Sequence, residues 1–107
     1  MEYINSAKIY KAMGDETRLQ IIDLLSCEEL CACEILDYFL ITQSTLSYHM
    51  KYLTDSRIVL SKKEGSWVKY SLNKDLVNEL RAFTDNIFDN NVECICKQNK
   101  KSFNCKS

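Results

Sequence analysis

Proline is absent from this chain of 107 residues, and glycine occurs only at Gly14 and Gly65. Nothing breaks a helix from within and little supplies left-handed backbone, so long helices are permitted and connections must be short. Tyr3, Ala7, Tyr10 and Met13 recur at helical spacing and predict a first helix over 3–12, ended by Gly14. Asp15 caps a second helix running to about Ser26, with Leu19, Ile22 and Leu25 on its buried face. A short third helix is expected over 31–38, with Ile35, Leu36 and Phe39 apolar. Thr42 opens a fourth over 43–55, whose inward stripe is Leu46, Met50 and Leu53. The period then changes. Ile58, Val59 and Leu60 read as a strand, and Lys63-Glu64-Gly65-Ser66 as a turn with Gly65 at positive φ. Trp67 to Leu72 is the returning strand, with Val68, Tyr70 and Leu72 on one side and Lys69 and Ser71 on the other. Asn73 caps a last helix carrying Leu76, Leu80, Phe83 and Ile87 in a stripe, which frays after Asn90-Asn91.

Four helices, a hairpin and a final helix make a mainly α chain with one β-hairpin, the plan of a winged helix-turn-helix. The expected domain spans 1–96, followed by a flexible Cys/Lys-containing tail over 97–107. One domain of this size has no room for a substrate cleft between domains. No run of 18 apolar residues exists, so no membrane span is expected. The opening MEYINSAKIY lacks the basic-then-apolar pattern of an export signal. Six cysteines without such a signal point to the cytoplasm and to reduced thiols.

The net charge of −1 hides an uneven distribution. Residues 1–41 carry three Lys/Arg against eight Asp/Glu, whereas residues 42–74 carry six (Lys51, Arg57, Lys62, Lys63, Lys69, Lys74) against Asp55 and Glu64. A local basic block is what phosphate contact needs. Within the fourth helix, Gln43, Ser44, Ser47 and Tyr48 stand off the apolar stripe near the N-terminus, the end that usually meets bases. Glutamine can pair bidentately with adenine, and serine can serve as donor or acceptor. Lys51, Arg57, Lys62, Lys63 and Lys69 would meet the backbone of double-stranded DNA and set the salt dependence of binding. An ordinary polar helix face beside a solvated hairpin is the plain alternative.

Three segments resemble one family. Gly14-Asp15-Glu16-Thr17-Arg18-Leu19-Gln20-Ile21-Ile22 is similar to the "GDxTRLxIL" opening of the ArsR/SmtB metalloregulators. Gln43-Ser44-Thr45-Leu46-Ser47-Tyr48-His49-Met50-Lys51-Tyr52-Leu53 resembles their recognition helix, commonly "QSTVSHHLKxL", and Gly65-Ser66-Trp67-Val68-Lys69-Tyr70 resembles their wing return, "GRxVxY". The likeness covers about residues 3–95. It implies a symmetric homodimer, joined through the first and last helices, that occupies operator DNA and leaves it when metal binds. The apolar stripes of both helices suit such an interface. His49, the only histidine, stands at a family position usually His or Gln, where a structural hydrogen bond is expected over a metal role.

Glu29-Leu30-Cys31-Ala32-Cys33-Glu34 resembles the "ELCVCD" box of the arsenic-, antimony- and cadmium-responsive members. Two thiols one residue apart at a helix start suit a soft ion. In a regular helix i and i+2 point apart, so chelation is expected to deform the first turn. That turn is also where the helix dipole favours thiolate. Its deformation would tilt the third helix, which braces the recognition helix, so metal would lower DNA affinity by linkage. The alternative is that Cys31 and Cys33 are small packing residues.

Arsenic-responsive members often carry a third cysteine where this chain has Leu36. The missing ligand is open to Cys27, to the partner chain's tail, or to a small anion. Cys94, Cys96 and Cys105 form a candidate second site, or simply an exposed tail. The family's zinc-type sites use histidine on the last helix, which this chain lacks, and no cysteine precedes Cys27. These absences favour As(III) or Sb(III) as inducer, with Cd(II) and Pb(II) behind and no organic cofactor. Two competing readings are a repressor switched by a thiol disulfide and a small zinc module without a DNA role. An enzyme is not expected, since no nucleophile–base pair or phosphate loop occurs.

Overall fold

The computed structural model describes residues 1–89. The fraying expected after Asn90-Asn91, the tail over 97–107, and Cys94, Cys96 and Cys105 lie outside the described residues. The elements run α1 (Tyr3–Met13), α2 (Glu16–Cys27), β1 (Leu30–Cys31), α3 (Ala32–Leu36), α4 (Gln43–Asp55), β2 (Val59–Glu64), β3 (Trp67–Leu72) and α5 (Lys74–Phe88). The three polar residues expected to open helices each accept a backbone N–H three residues on. Asp15 accepts from Arg18, Thr42 from Thr45 and Asn73 from Leu76, at 3.1, 3.1 and 3.2 Å.

The winged helix-turn-helix order is present, with one strand more than the hairpin. β1 adds to the far edge of β3, so the antiparallel sheet runs β1-β3-β2. Leu30 faces Tyr70 and Cys31 faces Lys69. This corrects the third helix, which covers Ala32–Leu36 rather than 31–38. Cys31 has extended backbone, φ −83° and ψ 164°, and serves as the N-cap. A two-residue strand is too short to show a period of its own. The hairpin also differs in detail. β2 continues past Leu60 to Glu64, and the turn shrinks to Gly65-Ser66, with Glu64 facing Trp67. Gly65 takes φ 63° at the first central position, as two-residue II′ hairpins require.

Scarcity of glycine has a visible cost at the end of α4. Arg57, with φ 72°, adopts the left-handed conformation that glycine usually supplies just past a helix. Asn73 holds it there. Its Nδ2 donates to the Arg57 carbonyl at 3.1 Å while its Oδ1 caps α5. One side chain thus joins the end of α4 to the start of α5. Gly14, by contrast, ends α1 at φ −78° and uses no left-handed freedom.

The core is centred on Ile21, Ile35, Leu46, Leu53, Ile58 and Val59, none more than 2% exposed. The expected stripe of α4 is buried in full. On α2 the buried face is rotated from the expected one. Ile21 and Leu25 are inside, Ile22 is half-buried and Leu19 is 50% exposed. On α1 the inward residues are Ser6, Ile9 and Ala12, leaving Tyr3 and Ala7 outside. Between α1, α2 and α5 lies an apolar groove of about 630 Å³, walled by Met13, Leu19, Ile22, Val77 and Leu80. Tyr3 meets the Phe83 ring edge-on at 5.5 Å, and the Tyr10 hydroxyl is hydrogen-bonded to Thr84. Among the described residues no helix is long and apolar enough to cross a membrane.

Left-handed backbone costs a side-chain-bearing residue roughly 1–2 kcal/mol, part of which glycine returns as unfolded-state entropy. Arg57→Gly is therefore expected to raise unfolding free energy by about 0.5–1 kcal/mol. A urea melt showing no rise in midpoint would contradict that.

Candidate nucleic-acid interface and thiol pair

Burial of Leu46, Met50 and Leu53 turns the opposite face of α4 outward. Gln43, Ser44, Ser47, Tyr48 and Lys51 are all exposed on it. Ser44 is also tied to the cap, its hydroxyl 3.1 Å from that of Thr42. The wing's lysines divide between its two faces. Across β2 and β3, Lys62 stands opposite Lys69, while Lys63 pairs with Val68 on the other face. Like charges directly opposite one another destabilise a hairpin, so the pairing of Lys62 and Lys69 is better suited to holding an anion between them than to stability. The two acids of the basic block lie beside its lysines. Lys51 Nζ is 3.4 Å from Asp55 and Lys62 Nζ 3.7 Å from Glu64. These pairs are exposed and weak, so phosphate can replace either carboxylate.

Arg18, on the first turn of α2, is not among the residues that the sequence singles out for the interface. Its guanidinium lies over the Tyr52 ring, 4.4 Å from the centroid, and its Nη1 is 3.3 Å from His49 Nδ1. Guanidinium only donates, so in this contact Nδ1 is the acceptor. Asp15 Oδ2 lies 3.8 Å from the same Nδ1. Tyr48 packs edge-on against both His49 and Tyr52. Arg18 thus fixes one side of the recognition helix and places Tyr48, while its own Nε is buried without a hydrogen-bond partner among the described residues. The motif Thr17-Arg18-Leu19 carries the signal, but nothing local tells a clamp from a surface charge. His49 is engaged with Arg18 and Asp15, away from the thiols.

The thiols meet at the junction of β1 and α3. Cys31 Sγ and Cys33 Sγ are 3.0 Å apart as free thiols. No deformation of a helical turn is needed, contrary to expectation, because Cys31 lies outside the helix in extended backbone. Two bonds of about 2.3 Å at a tetrahedral centre would place the sulfurs about 3.8 Å apart. An ion held by both thiols therefore moves the sulfurs apart. Cys31 is 5% exposed and Cys33 is exposed. The shared hydrogen bond with Cys33, then burial, push the Cys31 thiol above its usual range. For Cys31 that direction is opposite to the expected dipole-favoured thiolate. Glu34 Oε1 accepts the Cys31 backbone N–H at 2.8 Å, the reciprocal arm of a capping box. That bond, the Cys31 thiol and the charge of Lys69 hold the Glu34 carboxyl below the usual range. Cys33 shares a groove of about 190 Å³ with Gln43, Ser47, Met50 and Tyr70. Cys27 is exposed at the end of α2, and among the described residues no group of three or more His, Cys, Asp or Glu could hold a metal.

A helix with an exposed polar face, flanked by a wing bearing opposed lysines, is the arrangement of a winged helix-turn-helix. Residues 15–61 match the description "Bacterial regulatory protein, arsR family". An arsenical resistance operon repressor of Staphylococcus aureus is 42% identical over 105 residues, covering 98% of this chain and 100% of the relative. A cadmium resistance transcriptional regulatory protein homolog of Staphylococcus aureus is 39% identical over 75 residues, 69% of this chain and 62% of the relative. An ArsR-like transcriptional regulator from Rhodococcus sp. RHA1 shares the fold, with a TM-score of 0.73, 22% identity and coverage of 80% of this chain and 81% of that one. The chain belongs to the arsR family of bacterial regulatory proteins.

Two outcomes test the Arg18 clamp. Arg18→Ala is expected to cost about 1–2 kcal/mol of stability, since it removes the cation–π stack and a hydrogen bond. The Arg18 backbone N–H, with the Arg18 charge as a smaller cause, holds the Asp15 carboxyl below its ordinary value near 3.8. A depressed folded-state pKa adds stability that is present above the unfolded value and lost as pH falls through the folded one. Asp15→Asn keeps a good cap, so it should flatten the loss of stability below about pH 4. Identical acid limbs for both proteins in pH-resolved melts would rule this out.

Proposed function

We propose that this regulator is a homodimeric repressor of operator DNA, released when As(III) or Sb(III), or less readily Cd(II) or Pb(II), binds Cys31 and Cys33. The observation that carries the reading is the 3.0 Å approach of two free thiols at the junction leading into α3, one side of which faces α4. Arsenous acid needs no thiolate to start with. Each S–H proton leaves with an As–OH oxygen as water, an As–S bond replaces an As–O bond, and no oxidation state changes. The third position on arsenic then keeps hydroxide or takes a further thiol, for which Cys27 or the partner's tail are the candidates. The names of the Staphylococcus aureus relatives, one arsenical and one cadmium, support this class of inducer.

Gln43, Ser44, Ser47 and Tyr48 read base edges in this proposal, while Lys51, Lys62, Lys63 and Lys69 meet phosphates. The dimer covers α1 and α5, where Tyr3, Ile4, Ile87 and Phe88 leave apolar surface outside, Phe88 at 82%. Operator binding places the protein in the cytoplasm. Cys94, Cys96 and Cys105 are a candidate second site. The same sulfur approach also suits a reversible disulfide, which is the second reading.

Fluorescence anisotropy of labelled upstream DNA tests both, with reduced protein titrated with arsenite, Cd(II) or peroxide. Arsenite is expected to release wild type and Cys94→Ser/Cys96→Ser but not Cys31→Ser/Cys33→Ser. Release by peroxide alone establishes the redox reading instead. Lys62→Ala and Lys69→Ala should each lower the slope of log affinity against log salt by about 1, the share of a single phosphate. An unchanged slope removes that lysine from the interface.

A further inference from the structure

The register of the sheet puts the thiol box and the wing in one line. Directly opposed residues of an antiparallel sheet project to the same face. Cys31 faces Lys69, and Lys69 faces Lys62. The three form a single row across β1, β3 and β2. The next row, Leu30, Tyr70 and Ser61, lies on the opposite face, where Leu30 and Tyr70 join the core. One end of the charged row is thus a thiol of the sensor pair, and the other two members are the opposed lysines of the wing.

β1 is the most weakly held strand of this sheet, with two residues paired against six in β2. Cys31, 5% exposed, has no room to yield outward. Glu34 removes its remaining freedom. By accepting the Cys31 N–H at 2.8 Å, its side chain joins the last residue of β1 to the third residue of α3, so the backbones of both cysteines belong to one rigid unit. An ion that respaces the two sulfurs then cannot be accommodated by moving the Cys31 peptide alone. The displacement passes into the β1–β3 ladder and reaches Lys69.

Building on the sensor reading above, we propose that Glu34 is the positioning residue that transmits occupancy of Cys31 and Cys33 to the wing through the Cys31–Lys69–Lys62 row. It touches neither the ion nor the DNA. Its working atom is a hydrogen-bond acceptor, so glutamine can replace it and alanine cannot.

The test measures operator affinity with and without arsenite for wild type, Glu34→Gln and Glu34→Ala, alongside arsenite binding by near-ultraviolet absorption. Coupling between two sites is typically 5–150-fold. Wild type and Glu34→Gln should both show release in that range. Glu34→Ala should bind arsenite and ion-free DNA within a few-fold of wild type, yet lose less than about threefold in DNA affinity on adding arsenite. Hydrogen exchange on wild type gives a readout independent of any variant. Arsenite should speed exchange at the one of the adjacent Lys69 and Tyr70 amides that bonds β1, and less at the other, which bonds β2. Full release of Glu34→Ala overturns the inference while leaving the sensor reading intact. So does loss of arsenite binding in Glu34→Ala, or a glutamine variant that behaves like alanine. Unchanged exchange in β3 overturns the route through the wing. Wild type that binds arsenite nowhere, or binds it and keeps its DNA, overturns the sensor reading and this inference together.

Discussion

A ladder only two residues long carries the chain from α2 into the sheet and on to α3. Leu30 and Cys31 carry the chain from α2 onto the edge of β3, and their pairing with Tyr70 and Lys69 closes the hairpin against the helices. Leu30 supplies the apolar anchor, being 5% exposed. Cys31 supplies the turn into α3, with extended backbone on one side and a helix on the other. A residue that must be strand and cap at once, and a ligand in the proposed function, leaves little tolerance for substitution. It also explains how the thiols meet, since i and i+2 are brought together where extended backbone bends into a helix.

Much of this is legible in the sequence, because the helices announce themselves twice, by stripe and by cap. Asp15, Thr42 and Asn73 each bond the amide three residues on, and Leu46, Met50 and Leu53 are buried together. What escapes has physical reasons. Periodicity over two residues carries no information, so β1 is invisible and the third helix reads too long. The exposed Leu19 marks a face of α2 that belongs to a groove instead of the core. Arg18 looks like any helix-start charge. Its partners His49 and Tyr52 lie more than thirty positions away, and only folding brings them within 3.3 and 4.4 Å.

The proposed recognition surface and the proposed sensor are held by different means. On one side Arg18 stacks on Tyr52 and reaches His49, fixing α4 to α2 through a planar cation. On the other side the thiol pair abuts a groove shared with Gln43 and Ser47. α4 is therefore gripped along two faces, one polar and stacked, the other apolar and small.

In the proposed interface, the pairing of the wing and helix lysines has a consequence for how this protein finds its site. Asp55 and Glu64 each lie within 4 Å of a lysine that phosphate would claim, as Lys51–Asp55 at 3.4 Å and Lys62–Glu64 at 3.7 Å. Each carboxylate is a resident stand-in for a phosphate oxygen. Any nucleic acid must displace it, and a stretch that engages only one lysine gains little by doing so. A duplex that fits both helix and wing displaces the two stand-ins together. It also relieves the repulsion between Lys62 and Lys69. If these lysines meet phosphates as proposed, the built-in competitors lower the grip on arbitrary DNA more than on a matched site.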